Sequence, residues 1–263
     1  MTFEIAISTM HKTKEQVKSM LDVMNIHCDC LVVNQCDVED YYEENTGRRL
    51  RIIFTRERGL GKSRNMALRN AGADVVAIGD DDLHYYDGFE TRILEYYKSN
   101  ANADVVLFNM DDYAKTFPPQ SSRCSFFSLS GFVSMQATFK PESVRAKGLC
   151  FNELFGAGSG YFNSGEENVF LADCYRKRLN IFYCKDKILG RNETESSWFT
   201  GFNDGLFIRT RGAVYYSMSR LLFLPYIIRF AIKYRSKLRP YTVLQSLSLM
   251  NRGRKELLGL TRK

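Results

Sequence analysis

Apolar and polar positions along the first hundred residues switch repeatedly between the strand period and the helix period. Phe3 to Thr9 is a short apolar run of strand character. Thr13 with Gln16 three residues on forms a capping box, and Val17, Met20, Leu21 and Met24 then mark one helical face. Leu31 to Val33 is a second buried strand ending in the polar pair Asn34-Gln35, and an acidic stretch with Tyr41 and Tyr42 separates it from a third strand, Leu50 to Phe54. Gly59-Leu-Gly-Lys-Ser-Arg-Asn65 opens a helix that runs out at Ala71-Gly72, where the glycine suits the position after a helix end. Asp74 to Gly79 is a fourth strand, followed directly by Asp80-Asp81-Asp82. Strands and helices alternating over short connections predict an α/β fold with a mostly parallel sheet covered on both faces.

The second half is less regular. Asp104 to Met110 repeats the strand pattern, residues 111–125 read as loop around Pro118-Pro119 and Ser121-Ser122, and Phe126 to Phe139 is strand-like. Phe155 to Gly165 is a long glycine-rich loop running into Glu166-Glu167 and a helix to about Lys177, and Asn180 to Cys184 is a short strand. Beyond Trp198 the chain becomes basic, aromatic and helical in composition, and Pro225 is expected to break Tyr215 to Lys237 into two helices. No internal repeat is present.

Composition adds a boundary. The 263 residues are 44% apolar with five prolines, an ordinary globular make-up that excludes collagen-like and disordered readings. The net charge of +7 is an uneven average. Residues 205–263 carry 13 of the 37 bases and one of the 30 acids, Glu256, which leaves residues 1–204 mildly acidic. The expected division is therefore a body over 1–204 and a basic amphipathic helical region over 205–263, a membrane-interface element or a packed lid. The acidic body and the lack of a recognised module argue against nucleic acid. Seven cysteines with no C-x-x-C pair suggest reduced thiols in a cytosolic protein, not a disulfide or zinc framework. The opening resembles no signal peptide, and no uncharged run reaches the ~20 residues of a spanning helix.

Three clusters could carry chemistry. Three adjacent carboxylates at the carboxyl end of a buried strand repel one another and call for solvent or a cation, and oxygen donors favour Mg²⁺ or Mn²⁺. A plain acidic turn would look the same. The segment Gly59 to Asn65 is neither a P-loop nor G-x-G-x-x-G, yet it brings Lys62 and Arg64 to a helix N-terminus, where anions are favoured. Glu166-Glu167 could merely cap a helix, or could supply a general base after the glycine loop.

The order Ile5-Ala-Ile-Ser-Thr9, Val32-Val-Asn-Gln35, Gly59 to Asn65, Asp80-Asp81-Asp82 and Gly165-Glu-Glu167, with Glu195-Ser-Ser-Trp-Phe199 late in the chain, resembles a GT-A fold glycosyltransferase of the bacterial family 2 type. The resemblance covers residues 3–205. It implies that Thr9, Asn34, Arg64, Asp80 and Asp81 bind the nucleotide-sugar, and that Asp80 and Asp82 form a D-x-D pair holding Mn²⁺ or Mg²⁺. It further implies that Glu167 deprotonates the acceptor, that Glu166 orients it and that Trp198 contacts it. Many relatives carry an aspartate pair where Asn34-Gln35 stands, which leaves the base open between UDP- and GDP-linked donors. Many also place a histidine ligand late in the chain, whereas the histidines here are His11, His27 and His84. The function so implied is inverting transfer of a sugar to a lipid-linked glycan in surface-polysaccharide synthesis. The enzyme would work without nucleic acid, peripherally on the inner face of the cytoplasmic membrane. A nucleotidyltransferase making a nucleotide-sugar, or a non-catalytic glycan- or membrane-binding protein, are the alternatives; the sequence is silent on oligomeric state.

Overall fold

The structure, a computed structural model, describes residues 1–111, 117–191 and 204–261. The chain divides into two compact units. The first comprises Met1–Arg58, Lys62–Phe151 and residues 173–191; the second comprises Gly59–Gly61, Asn152–Ala172 and residues 204–261.

The first unit is built on one sheet. Its strands are β1 (Phe3–Met10), β2 (Asp29–Gln35), β3 (Asp40–Asn45), β4 (Arg49–Thr55), β5 (Val75–Asp80), β6 (Leu83–Tyr85), β7 (Val105–Asp111), β8 (Ser122–Arg123), β9 (Ala137–Phe139) and β10 (Ile181–Arg191). They lie in the order β3-β4-β2-β1-β5-β9-β7-β10-β6, with β8 also on β10. The central run β4-β2-β1-β5 is parallel, as are β7 and β10. Parallel strands buried on both faces need continuous apolar runs, and Ile5, Ile7, Val32, Ile52 and Val106 are fully buried. The helices are α1 (Lys14–Val23), α2 (Leu60–Asn70), α3 (Phe89–Ser99), α4 (Pro141–Ala146) and α5 (Glu166–Arg176), of which α2 and α5 each begin in residues of the second unit. Thr13 and Gln16 form the predicted capping box of α1. A buried ion pair ties the end of α2 to the sheet: Arg51 Nη2 lies 2.5 Å from Glu4 Oε2, Arg51 Nη1 donates to Asn70 O, and Glu4 Oε1 accepts from the Gly72 N–H at 2.7 Å.

Two expectations are corrected here. The acidic stretch at Tyr41 and Tyr42 is not a plain connection but edge strand β3, antiparallel to β4. Four of its six residues are exposed and three are charged, which protects an edge but removes the apolar pattern that marks a strand. Only the last three residues of Phe126 to Phe139 are strand. The rest forms two 3₁₀ turns, Phe126–Gly131 and Ser134–Gln136, because serines there bond locally, with Ser128 Oγ donating to Ser125 O at 2.7 Å.

The second unit contains α6 (Gly205–Met218), α7 (Phe223–Lys233) and α8 (Val243–Leu260), with Asp204 capping α6. α6 and α8 cross backbone to backbone. A Cβ at Gly212 would lie 1.9 Å from Met250 O, and one at Gly253 1.9 Å from Arg209 O. Arg209 and Glu256 pair beside the crossing at 3.0 Å. Tyr226 stacks on Tyr215 at 5.2 Å and Phe230 meets Phe207 and Tyr215, so one face of α7 is held by α6. The chain does break into two helices, but ahead of Pro225, between Met218 and Phe223. Pro225 sits in the first turn of α7, where its missing N–H costs nothing. Among the described residues no helix is long and apolar enough to cross a membrane.

Candidate active site

The strand order reverses at β1: the chain steps outward through β2 to β4, then returns to place β5 on the other side of β1. In open α/β sheets a crevice forms beyond the carboxyl ends of the strands at such a reversal. The register aligns those ends, with Thr9 beside Asn34 and Ser8 beside Asp80. Asp81 and Asp82 occupy the turn between β5 and β6, and both are exposed.

The fold brings bases to Asp80 and Asp81 that are distant in sequence. Arg64, on α2, is turned inward and its side chain is 2% exposed. Its Nη2 donates to Asp80 Oδ1 and to Ser134 Oγ, both at 2.9 Å, and its guanidinium lies 5.8 Å over the Phe151 ring. Asp81 Oδ2 accepts from Thr9 Oγ1 at 2.6 Å and lies 3.7 Å from Lys12 Nζ. Asn34 is fully buried, and its amide braces the β1–α1 turn by accepting from the Lys12 N–H at 3.2 Å and donating to the Lys12 carbonyl at 2.6 Å. Ser63 Oγ donates to Ser8 Oγ at 2.7 Å. Thus Thr9, Asn34, Arg64, Asp80, Asp81 and Asp82 gather at the carboxyl ends of the central strands. Ser8, Lys12, Ser63 and Ser134 join them although no motif singled them out. Tyr85, fully buried, has its hydroxyl pushed well above the usual phenol range by burial and then by the Asp80 charge.

The oxygen donors of Asp80 and Asp82 suit a hard divalent cation, which keeps water or phosphate oxygens among its ligands. Among the described residues no cluster of three or more His, Cys, Asp or Glu side chains converges on one point. Two protein carboxylates with diphosphate oxygens would therefore be the fitting donor set.

Within the second unit, Glu166 and Glu167 open α5, where the helix dipole favours carboxylates. Both are buried, Glu167 to 6% exposure, and Asn168 beside them accepts from Arg211 Nη1 at 3.3 Å. The preceding glycine loop is anchored, with Phe155 and Phe162 buried and stacked at 5.1 Å and the Leu60 N–H bonded to Ala157 O at 2.8 Å. Gly156, at φ +101°, is required here: its Cβ would come within 3.0 Å of Glu166 Oε2. Trp198 lies outside the described residues.

The model of the family described as "Glycosyl transferase family 2" matches residues 11–157, more than half of the chain. No curated protein sequence matches it. Among solved structures, TarS from S. aureus in complex with UDP-GlcNAc superposes with a TM-score of 0.61 at 12% identity, over 97% of this chain and 92% of that one. TarS in complex with UDP gives 0.57 at 14% identity, over 100% and 92%. The mannosyltransferase PcManGT from Pyrobaculum calidifontis, in complex with GDP-Man and Mn²⁺, gives 0.52 at 11% identity, over 97% and 73%. At these identities the likeness is one of fold, the GT-A fold.

Proposed function

The chain belongs to glycosyl transferase family 2, and from that premise we propose that it moves a sugar, with inversion, from a nucleotide-diphospho-sugar to a hydroxyl of a lipid-linked glycan in bacterial surface-polysaccharide synthesis. The observation that carries the reading is the gathering of Asp80, Asp81 and Asp82 with Thr9 and Arg64 at the strand-order reversal of a chain of this family. The neighbours hold UDP-GlcNAc and GDP-Man, and this supports a UDP- or GDP-linked donor here.

In this reading Thr9, Asn34, Arg64 and Asp81 shape the donor site. Asp80 and Asp82 would hold Mn²⁺ or Mg²⁺, which would supply positive charge against the departing diphosphate. Glu167 takes the proton from the acceptor hydroxyl, whose oxygen forms the new bond to the anomeric carbon from the face opposite the leaving group. The bond from that carbon to the phosphate oxygen breaks, and its electron pair leaves with the nucleoside diphosphate. Glu166 orients the acceptor, with Trp198 as a further contact. The acid-free composition of residues 205–255 supports an acceptor held at the inner face of the cytoplasmic membrane.

The test is Glu167→Gln, assayed by nucleoside diphosphate release across a panel of UDP- and GDP-sugars with Mn²⁺. The variant should keep donor affinity and lose transfer by roughly 10²–10⁴-fold, the usual scale of a general base. Near-normal turnover would remove Glu167 from that role, and loss of donor binding would make it structural.

A further inference from the structure

Helix α7 has two apolar faces, and the fold uses one. Phe223, Tyr226, Ile227, Phe230 and Ala231 are buried. On the other side Leu224, Ile228 and Ile232 are 62%, 45% and 52% exposed, and Leu221, just ahead of the helix, is 93% exposed. Leu224, Ile228 and Ile232 stand four residues apart, so they form one ridge along a single helical face. Scattered apolar side chains on a surface need no explanation, whereas a continuous ridge of large aliphatics marks an interaction site.

The surroundings of the ridge select its partner. Arg229 and Lys233 on α7, and Arg220, Arg235, Lys237 and Arg239 in the chain on either side of it, are all exposed. From residue 205 to 255 the sequence contains no aspartate or glutamate. Long basic side chains can lay their stems on an apolar surface and lift their charges to its polar edge. An aliphatic ridge bordered by bases matches the acyl boundary and the anionic headgroups of a bilayer. A symmetric pairing with a second copy would set base against base. At eleven residues, α7 is about 16 Å long and falls well short of the hydrocarbon core.

We infer that the outer face of α7 docks this protein on an anionic lipid bilayer, with the helix lying in the plane of the interface and Leu221, Leu224, Ile228 and Ile232 inserted. This deepens the proposed function, resting on it only for the idea that the acceptor is lipid-linked, and its test requires no turnover.

The test is co-sedimentation of the full chain with vesicles of phosphatidylcholine alone or mixed equally with phosphatidylglycerol, at low and high salt. The chain should bind the mixed vesicles at least about tenfold more tightly than the neutral ones, with a part of the binding that salt does not remove. The triple change Leu224→Gln, Ile228→Gln, Ile232→Gln should abolish the salt-resistant part. The triple change Arg229→Gln, Lys233→Gln, Arg235→Gln should erase the preference for phosphatidylglycerol. Leu221→Gln, at a position almost wholly exposed, gives a milder variant that cannot compromise folding, and Val23→Gln on α1 is the exposed control that should bind as wild type. Equal binding of the wild type to both vesicles, no binding to either, or undiminished binding of the aliphatic triple variant would overturn the inference. So would a doubled mass in lipid-free light scattering that the aliphatic variant loses, because the ridge would then be a self-association surface. Nucleoside diphosphate release in lipid-free solution reports on the transferase reading alone, so the two can fail separately.

Discussion

Removing the Arg64 side chain tests whether the aspartate cluster is held by an internal cation. Arg64→Met removes the guanidinium over Phe151 together with two charge-assisted hydrogen bonds, to Asp80 Oδ1 and Ser134 Oγ. Breaking a buried ion pair on one side costs about 3–5 kcal/mol. Asp80 is 29% exposed, so water recovers part of its solvation, and about 2–3 kcal/mol is the better expectation. For a chain of this size that corresponds to a fall of roughly 4–10 °C in Tm. Arg64→Lys keeps a charge but not the planar fork that serves two acceptors, so it should recover only part of the loss. Urea denaturation of Arg64→Met, Asp80→Asn and the double variant closes a cycle whose coupling should be about 1–3 kcal/mol. Donor binding by Arg64→Met should weaken as well, because Asp80 loses the group that orients it. If the two single effects add to within about 0.5 kcal/mol, the pair is not coupled and the argument fails.

Asp82→Ala should abolish Mn²⁺-dependent binding of a UDP- or GDP-sugar in calorimetric titration, while its exposed position keeps the stability change within about 0.5 kcal/mol; unchanged affinity would remove Asp82 from the cation site. Gly253→Ala should destabilise by about 1–3 kcal/mol despite a helix-propensity gain of about 1 kcal/mol, because its Cβ meets the α6 backbone. Gly259→Ala, in the same helix with nothing within 4 Å, should be neutral or stabilising, and equal thermal shifts for the two would refute the tight crossing.

Where one periodicity dominated, the fold was legible. The parallel strands β1, β2, β4 and β5 are buried on both faces, so their apolar runs announce them, and the capping box of α1 marks a helix start by local chemistry. Gly72 after α2 is not a left-handed helix cap, and its N–H is taken by Glu4 instead. β3 was hidden because an exposed edge strand has no apolar face to show. The 3₁₀ turns at 126–136 were hidden because Phe126, Phe127 and Leu129 resemble a strand until serine hydrogen bonds are considered. Helix α8 starts in a capping box, Thr242 with Gln245, that was as legible as the one in α1, but its contact with α6 runs through Gly212 and Gly253, and glycines at a crossing leave no hydrophobic signature.

The candidate site shows the same limit from the side of charge. Local sequence places Asp80-Asp81-Asp82 at a strand end without a neighbouring base, and from that alone the trio calls for solvent or a cation. The fold changes the balance: Arg64 comes from α2 and Lys12 from the β1–α1 turn, so Asp80 and Asp81 each meet a positive charge of the chain itself. Neither base is near the aspartates in sequence. They converge because β5 returns beside β1, the same reversal that creates the crevice. The topology that aligns the strand ends is therefore also what brings the charges of Arg64 and Lys12 to adjacent carboxylates and makes them tolerable in a folded chain.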